Sequence, residues 1–235
     1  MINAFPLDIR SGDFQSPLCQ SEIDATVKIN IKPKCYNIYI RSILPYMDRD
    51  KLCHYSLNQV TKKRRERINS YLRIEDKARC LVAGLLLRQV CGVIDDDQLV
   101  YGQHGKPQLK DSDLYFNLSH SGDYVVLATA DREIGIDIEK VCPRISTACH
   151  KIEAQVFTKE EQIWLQQQDN DNAFYRLWTA KESVMKLIGE GLSLSPETFS
   201  VLPLDRCMHM IKDKIFYLEW FEYDNHIISY AVYKN

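Results

Sequence analysis

The order of strand-forming and helix-forming stretches repeats once along these 235 residues, and that repeat limits the fold more than any single motif. A short β-rich run at 35–43 leads into a helical pattern over 48–91. Leu81, Val82, Leu85 and Leu86 recur there at helical spacing until Gly92 closes the helix. A turn-rich loop with Gly102, Gly105 and Pro107 follows, then strands at 115–118, 124–130 and 133–139. Their connections are the turns Ser121-Gly122-Asp123 and Asp131-Arg132. The last of these strands opens the second round: helices over 156–168 and 172–188, ended by Gly189 and Gly191, then a hairpin of 215–222 and 227–233 around Asp224-Asn225. Tyr39 and Asp137 stand 98 positions apart, and so do Arg88 and Lys186. Identity across that offset is poor, so the repeat is one of element order. It predicts an α+β fold of two similar halves, 1–131 and 132–235, packed face to face with a ligand cleft between them. Residues 1–34 carry few signals and read as loop or peripheral structure.

Composition narrows the class. The chain is 45% hydrophobic and 26% charged, as in a globular protein able to bury its core without staples. A net charge of -2 exerts no global pull on nucleic acid or membrane, so any anion site is built locally. None of the eight cysteines forms a Cys-x-x-Cys pair, which leaves zinc-finger and thioredoxin-like readings without support. Cys80 and Cys91 lie in an apolar helical pattern, where cysteine packs as a small hydrophobe. The first ten residues, with Asp8, do not form a signal peptide, and no stretch approaches the roughly 18 apolar residues of a membrane span. The expectation is a reduced, cytoplasmic, soluble protein with no membrane or nucleic-acid partner.

Five motifs could carry chemistry, and each has a plainer reading. In Gly135-Ile136-Asp137-Ile138-Glu139 a strand points Asp137 and Glu139 to one face. Two such carboxylates repel unless a cation sits between them, and hard oxygen donors suit magnesium; the alternative is a solvated acidic face. In Trp178-Thr179-Ala180-Lys181-Glu182-Ser183-Val184-Met185-Lys186, Glu182 and Lys186 share a helix face, as a surface pair or as part of a site. Phe116-Asn117-Leu118-Ser119-His120-Ser121-Gly122 runs a strand into a turn. Ser119 and His120 there can donate to a phosphate or an adenine edge, or the polar side chains can bond local backbone. Gly105-Lys106-Pro107 offers a point charge on a stiff loop, or an exposed turn lysine, but not the spacing of a P-loop. The basic run 62–67, with Arg73, Lys77 and Arg79, is a solvated helix face, a nucleic-acid patch, or a local phosphate pocket in which Arg64 and Arg67 share a face. No acid stands near Ser119 to complete a hydrolase triad, and Gly-x-Ser-x-Gly is absent.

Taken in order, these motifs resemble the phosphopantetheinyl transferase superfamily. The sequence runs Gly-Lys-Pro, Asn-Leu-Ser-His-Ser-Gly, Gly-Ile-Asp-Ile-Glu, then Trp-Thr-Ala-Lys-Glu-Ser-x-x-Lys with a trailing Gly-x-Gly-Leu. The match is to the monomeric, surfactin-synthetase-activating type, and it is good over residues 62–192. The resemblance implies a pseudo-twofold arrangement of the two α+β halves with the active site in the cleft between them. It implies magnesium as cofactor, coenzyme A as co-substrate and an apo acyl or peptidyl carrier protein as partner. Asp137, Glu139 and Glu182 look like the metal ligands. Lys186 looks like the lysine at the pyrophosphate, and Glu182 is the candidate base, directly or through a water. Arg64, Arg67, Arg79, Lys106, Pro107, Ser119 and His120 fall where the family contacts coenzyme A. Cys80 departs from the polar residue expected beside the nucleotide. The stretch 145–157, with Ile152, Val156 and Phe157, is either a carrier-docking surface or the core side of a connecting helix. The resemblance leaves two rivals. A non-catalytic coenzyme A or nucleotide-binding module would bind without turnover or magnesium. A nucleic-acid binder using 62–79 would show steep salt dependence and leave the three carboxylates without a purpose.

Overall fold

The computed structural model describes residues 9–10, 25–31, 34–143, 153–190, 194–205, 208–211 and 213–234. They fall into two compact units: one runs through Val100 and takes in Pro107–Asp131, and the other holds Tyr101–Lys106 and the chain from Arg132 onward. The loop 101–106, which carries Lys106, therefore belongs with the second unit.

In the first unit, β1 (Ile9–Arg10), β2 (Ala25–Ile31), β3 (Lys34–Ser42), β7 (Tyr124–Ala130) and β6 (Tyr115–Ser121) form an antiparallel sheet in that spatial order. The peripheral reading of 1–34 is corrected here: β2 pairs with β3 from Ala25↔Ile40 to Ile31↔Lys34. Its sequence Ala-Thr-Val-Lys-Ile-Asn-Ile alternates with period two, the pattern of a strand. The helical stretch 48–91 is three helices, α1 (Arg49–Gln59), α2 (Lys62–Ser70) and α3 (Ile74–Cys91). Asp48 starts α1 by accepting from the Asp50 and Lys51 amides, and extended backbone at Val60-Thr61 and at Tyr71 breaks the run. Helix α3 buries Leu81, Val82, Leu85, Leu86 and Leu87 on Tyr39, Phe116, Val125 and Leu127 of the sheet. It ends at Gly92, whose φ of 70° is the left-handed conformation that glycine adopts freely. The short strands β4 (Leu99–Tyr101) and β5 (Pro107–Leu109) follow α3.

The second unit repeats the plan. Strand β8 (Ile134–Lys140) is followed by helices α4 (Lys159–Gln166) and α5 (Asn172–Ile188), then β9 (Met208–Ile211) and the hairpin β10 (Lys214–Tyr223) and β11 (His226–Tyr233). The sheet order is β8-β11-β10-β9. As β7 lies between β3 and β6, so β11 lies between β8 and β10. The duplicated element order is thus a duplicated topology, with α5 as the counterpart of α3. Helix α5 spans 172–188 as its periodicity predicts and also ends on a left-handed glycine, Gly189 at φ 74°. The hairpin turns at Asp224 and Asn225, both at positive φ.

Two local expectations shift. Helix α4 begins at Lys159, because Thr158 and Glu161 form a reciprocal capping box at its N-terminus. Phe157, just before it, is 1% exposed and packs edge-on against Phe174 and Trp178, so it is core and not a docking surface. Ile152 and the rest of 144–152 lie outside the described residues. Among the described residues no helix is long and apolar enough to cross a membrane.

Candidate active site

Strand β8 sorts its side chains as the alternation requires. Ile134, Ile136 and Ile138 are fully buried. Asp137 and Glu139 take the other parity; Asp137 is 4% exposed and Glu139 is half-buried. Position 135 has no room for a side chain. A Cβ on Gly135 would fall far inside contact distance of the Ser183 carbonyl oxygen and the Leu187 nitrogen, and 3.0 Å from the Leu187 Cα. Glycine thus lets α5 lie directly on β8. The close approach brings Lys186 to Asp137, where Nζ donates to Oδ1 at 2.6 Å, while Asp137 Oδ2 is closed off from solvent. Asp137 also pairs across the ladder with Ser229, whose hydroxyl lies 2.6 Å from that of Thr179 on α5, a second tie between helix and sheet.

Glu182, one helical turn before Lys186, is drawn into the same field. Its carboxyl is pushed above the ordinary glutamate range, first by burial, then by the negative charge of Asp137; Lys186 pulls the other way. Two carboxylates this close hold more negative charge than the single ammonium beside them offsets. Among the described residues no group of three His, Cys, Asp or Glu side chains stands ready to hold a metal ion. Asp137 and Glu182, with Glu139 on the same face of β8 as Asp137, are nevertheless all hard oxygen donors, a chemistry compatible with a divalent cation of the magnesium type.

The remaining sequence candidates each have a local partner. Lys106 Nζ donates to Glu133 at 2.6 Å and to the carbonyls of Ile134 and Leu187 at 3.3 and 3.4 Å, so it caps the C-terminal end of α5. Arg64 crosses the face of α3 at Gly84, where a Cβ would come within 2.7 Å of Val60, and donates to the Cys80 carbonyl at 3.3 Å. Burial pushes the neighbouring Cys80 thiol up, with Arg64 and Arg67 opposing. Arg67 is exposed and donates to the Tyr71 hydroxyl at 3.0 Å. Arg79 donates through Nε and Nη2 to the Gly122 carbonyl at 3.1 and 2.8 Å, and through Nη1 to Asp76 at 2.8 Å. It thereby grips the turn after β6. Ser119 and His120 lie on that strand, not in a turn: they pair with Val126 and Val125, Ser119 buried and His120 exposed. Pro107 opens β5 and is half-buried.

Sequence reasoning gave no role to Lys181 or Glu161, which are both fully buried and bonded to each other at 2.5 Å. The sequence signal within reach was Thr158-x-x-Glu161, a capping box, which marks a helix start but not the burial of its acid.

Comparison with known proteins places the sequence in a family. The sequence model of the 4'-phosphopantetheinyl transferase superfamily matches residues 133–231, the span holding β8, α5 and their carboxylates. The model of the 4'-phosphopantetheinyl transferase N-terminal region matches residues 49–132. The 4'-phosphopantetheinyl transferase gsp of Aneurinibacillus migulanus is 37% identical over 150 residues, 60% of this chain and 61% of that protein. The 4'-phosphopantetheinyl transferase Sfp of Bacillus subtilis is 34% identical over 177 residues, 72% of this chain and 75% of that protein. With both halves matched, and with Asp137, Glu182 and Lys186 gathered where α5 crosses β8, the chain belongs to the 4'-phosphopantetheinyl transferase superfamily, in the type represented by Sfp.

Proposed function

We propose that this protein transfers the 4'-phosphopantetheine arm of coenzyme A to a serine of an apo acyl or peptidyl carrier protein, with magnesium, releasing adenosine 3',5'-bisphosphate. The observation that carries the site assignment is the Lys186–Asp137 contact beside a Glu182 whose proton affinity is raised. Asp137, Glu139 and Glu182 would hold the metal, which when bound neutralises the pyrophosphate and fixes its orientation. The serine Oγ bonds to the β-phosphorus as the bond from that phosphorus to the bridging oxygen breaks, and the bridging oxygen leaves with the nucleotide. Lys186, released from Asp137 by the arriving charge, stabilises the negative charge that builds on the leaving phosphate. The serine proton passes to Glu182, directly or through a water.

For the rest of coenzyme A the proposal keeps Arg64, Arg67, Arg79, Lys106, Pro107, Ser119 and His120. Arg79 is the one assigned to the 3'-phosphate, with Asp76 exchanged for that phosphate on Nη1. Arg79→Ala is expected to weaken binding of coenzyme A more than that of dephospho-coenzyme A in parallel titrations. Equal losses for both would leave Arg79 only its grip on Gly122.

The deciding experiment mixes purified protein, coenzyme A, magnesium and an apo carrier protein and reads the carrier by mass spectrometry, with a chelator control. The expected result is a gain of one phosphopantetheine, abolished by the chelator. Binding of coenzyme A without transfer to any of several unrelated carriers would instead select the non-catalytic binding module.

A further inference from the structure

Helix α5 carries Glu182 and Lys186 along one edge. About 100° around the helix from Glu182, one residue back, lies a charged side chain with no exposure at all. Lys181 and Glu161 are each 0% exposed. Lys181 Nζ donates to Glu161 Oε2 at 2.5 Å and to the Phe199 carbonyl at 2.6 Å, with the Phe199 ring 4.6 Å from the ammonium. Glu161 Oε1 accepts from the Val201 amide at 2.9 Å, and Oε2 accepts from the Thr158 amide at 2.9 Å. One ion pair therefore ties α5 to the start of α4 and to the segment 199–201.

Stability alone does not account for this pair. Taking both charges out of water costs several kcal/mol each, and well-packed apolar side chains of similar volume usually serve a core as well or better. An ion pair with four directional bonds gives what apolar packing by Leu177, Val184 and Leu187 does not, a fixed rotation of the helix about its axis. The opposite flank of Glu182 is already fixed, because Ser183 and Leu187 press on Gly135. Glu182 sits between these two restraints.

We propose that the Lys181–Glu161 pair is a positioning device for phosphoryl transfer: it sets the rotation of α5 so that Glu182 and Lys186 meet Asp137. The inference rests on reading those three residues as the transfer site. Neither Lys181 nor Glu161 touches substrate; both act through the helix. Displacing the carboxylate and the ammonium by an ångström weakens the magnesium–pyrophosphate contacts and slows transfer, while leaving contacts elsewhere on coenzyme A as they are.

The test uses the full chain with Lys181→Met and Glu161→Gln combined, which removes both charges and keeps an acceptor for the Val201 amide. Three quantities are read: the thermal midpoint, the affinity for coenzyme A by calorimetry with magnesium and with chelator, and kcat and KM for an apo carrier. The expected result is a midpoint within a few degrees of wild type, magnesium–coenzyme A affinity at least tenfold weaker, chelator-phase affinity unchanged, kcat at least tenfold lower and carrier KM unchanged. If the double variant does not fold, Lys181→Met alone is read by the same criteria, since Glu161 keeps the Val201 and Thr158 amides as donors. A folded variant whose magnesium–coenzyme A affinity and kcat lie within twofold of wild type overturns the inference and leaves the site intact. So does a lowered midpoint with unchanged ligand affinity, which assigns the pair to folding alone. A wild-type protein without magnesium-dependent transfer overturns the site reading and the inference together.

Discussion

Asp137→Ala is expected to lower kcat/KM for transfer about a hundred- to a thousandfold, the range seen when one preorganised charged contact is removed from a reacting centre. The variant should remain folded. Lys186 loses its partner at Oδ1, but its side chain is 28% exposed and can turn toward water, so no unpaired charge is trapped. Lys186→Ala should show a loss of similar size. It leaves Asp137 and Glu182 facing each other without the ammonium, so Glu182 holds its proton still more tightly. Circular dichroism and thermal unfolding establish the fold of each variant, and steady-state transfer to a carrier reads the effect. Wild-type rates in both folded variants would refute the site.

Gly135→Ala should act through stability and geometry together. The added methyl meets the backbone of Ser183 and Leu187, not a side chain that can swing away, so α5 must lift from β8. Overpacking against rigid neighbours costs about 3 kcal/mol, which for a chain of this size lowers the thermal midpoint by about 6–12 °C. The same movement separates Lys186 and Glu182 from Asp137, so transfer should fall even well below the midpoint. An alanine variant with an unchanged midpoint would mean that the helix can shift without cost, and that Gly135 does not set its distance from the strand.

Much of this was legible in the sequence because the signals were local. The period of α5 and the glycine after it fixed 172–188, and the alternation in β8 put Asp137 and Glu139 on one face. What the sequence hid depends on partners distant along the chain. Strand β2 has a period-two pattern but becomes a sheet member only through β3. Ser119-His120-Ser121 has the composition of a turn, and pairing with β7 holds it as a strand, a tertiary override of weak local preference. Lys181 and Glu161 look like surface charges, since neither type is expected in a core; only the meeting of α4, α5 and 199–201 buries them.

The duplicated topology has a consequence for stoichiometry. At the offset of 98 residues, Asp137, Glu139, Glu182 and Lys186 of the second half correspond to Tyr39, Arg41, Gly84 and Arg88 of the first. No carboxylate survives at these positions in the first copy. Arg41 is instead buried against the Tyr46 hydroxyl, and Gly84 makes way for Arg64. The chain repeats a fold without repeating a charge set, so titration should saturate at one divalent ion and one coenzyme A per polypeptide.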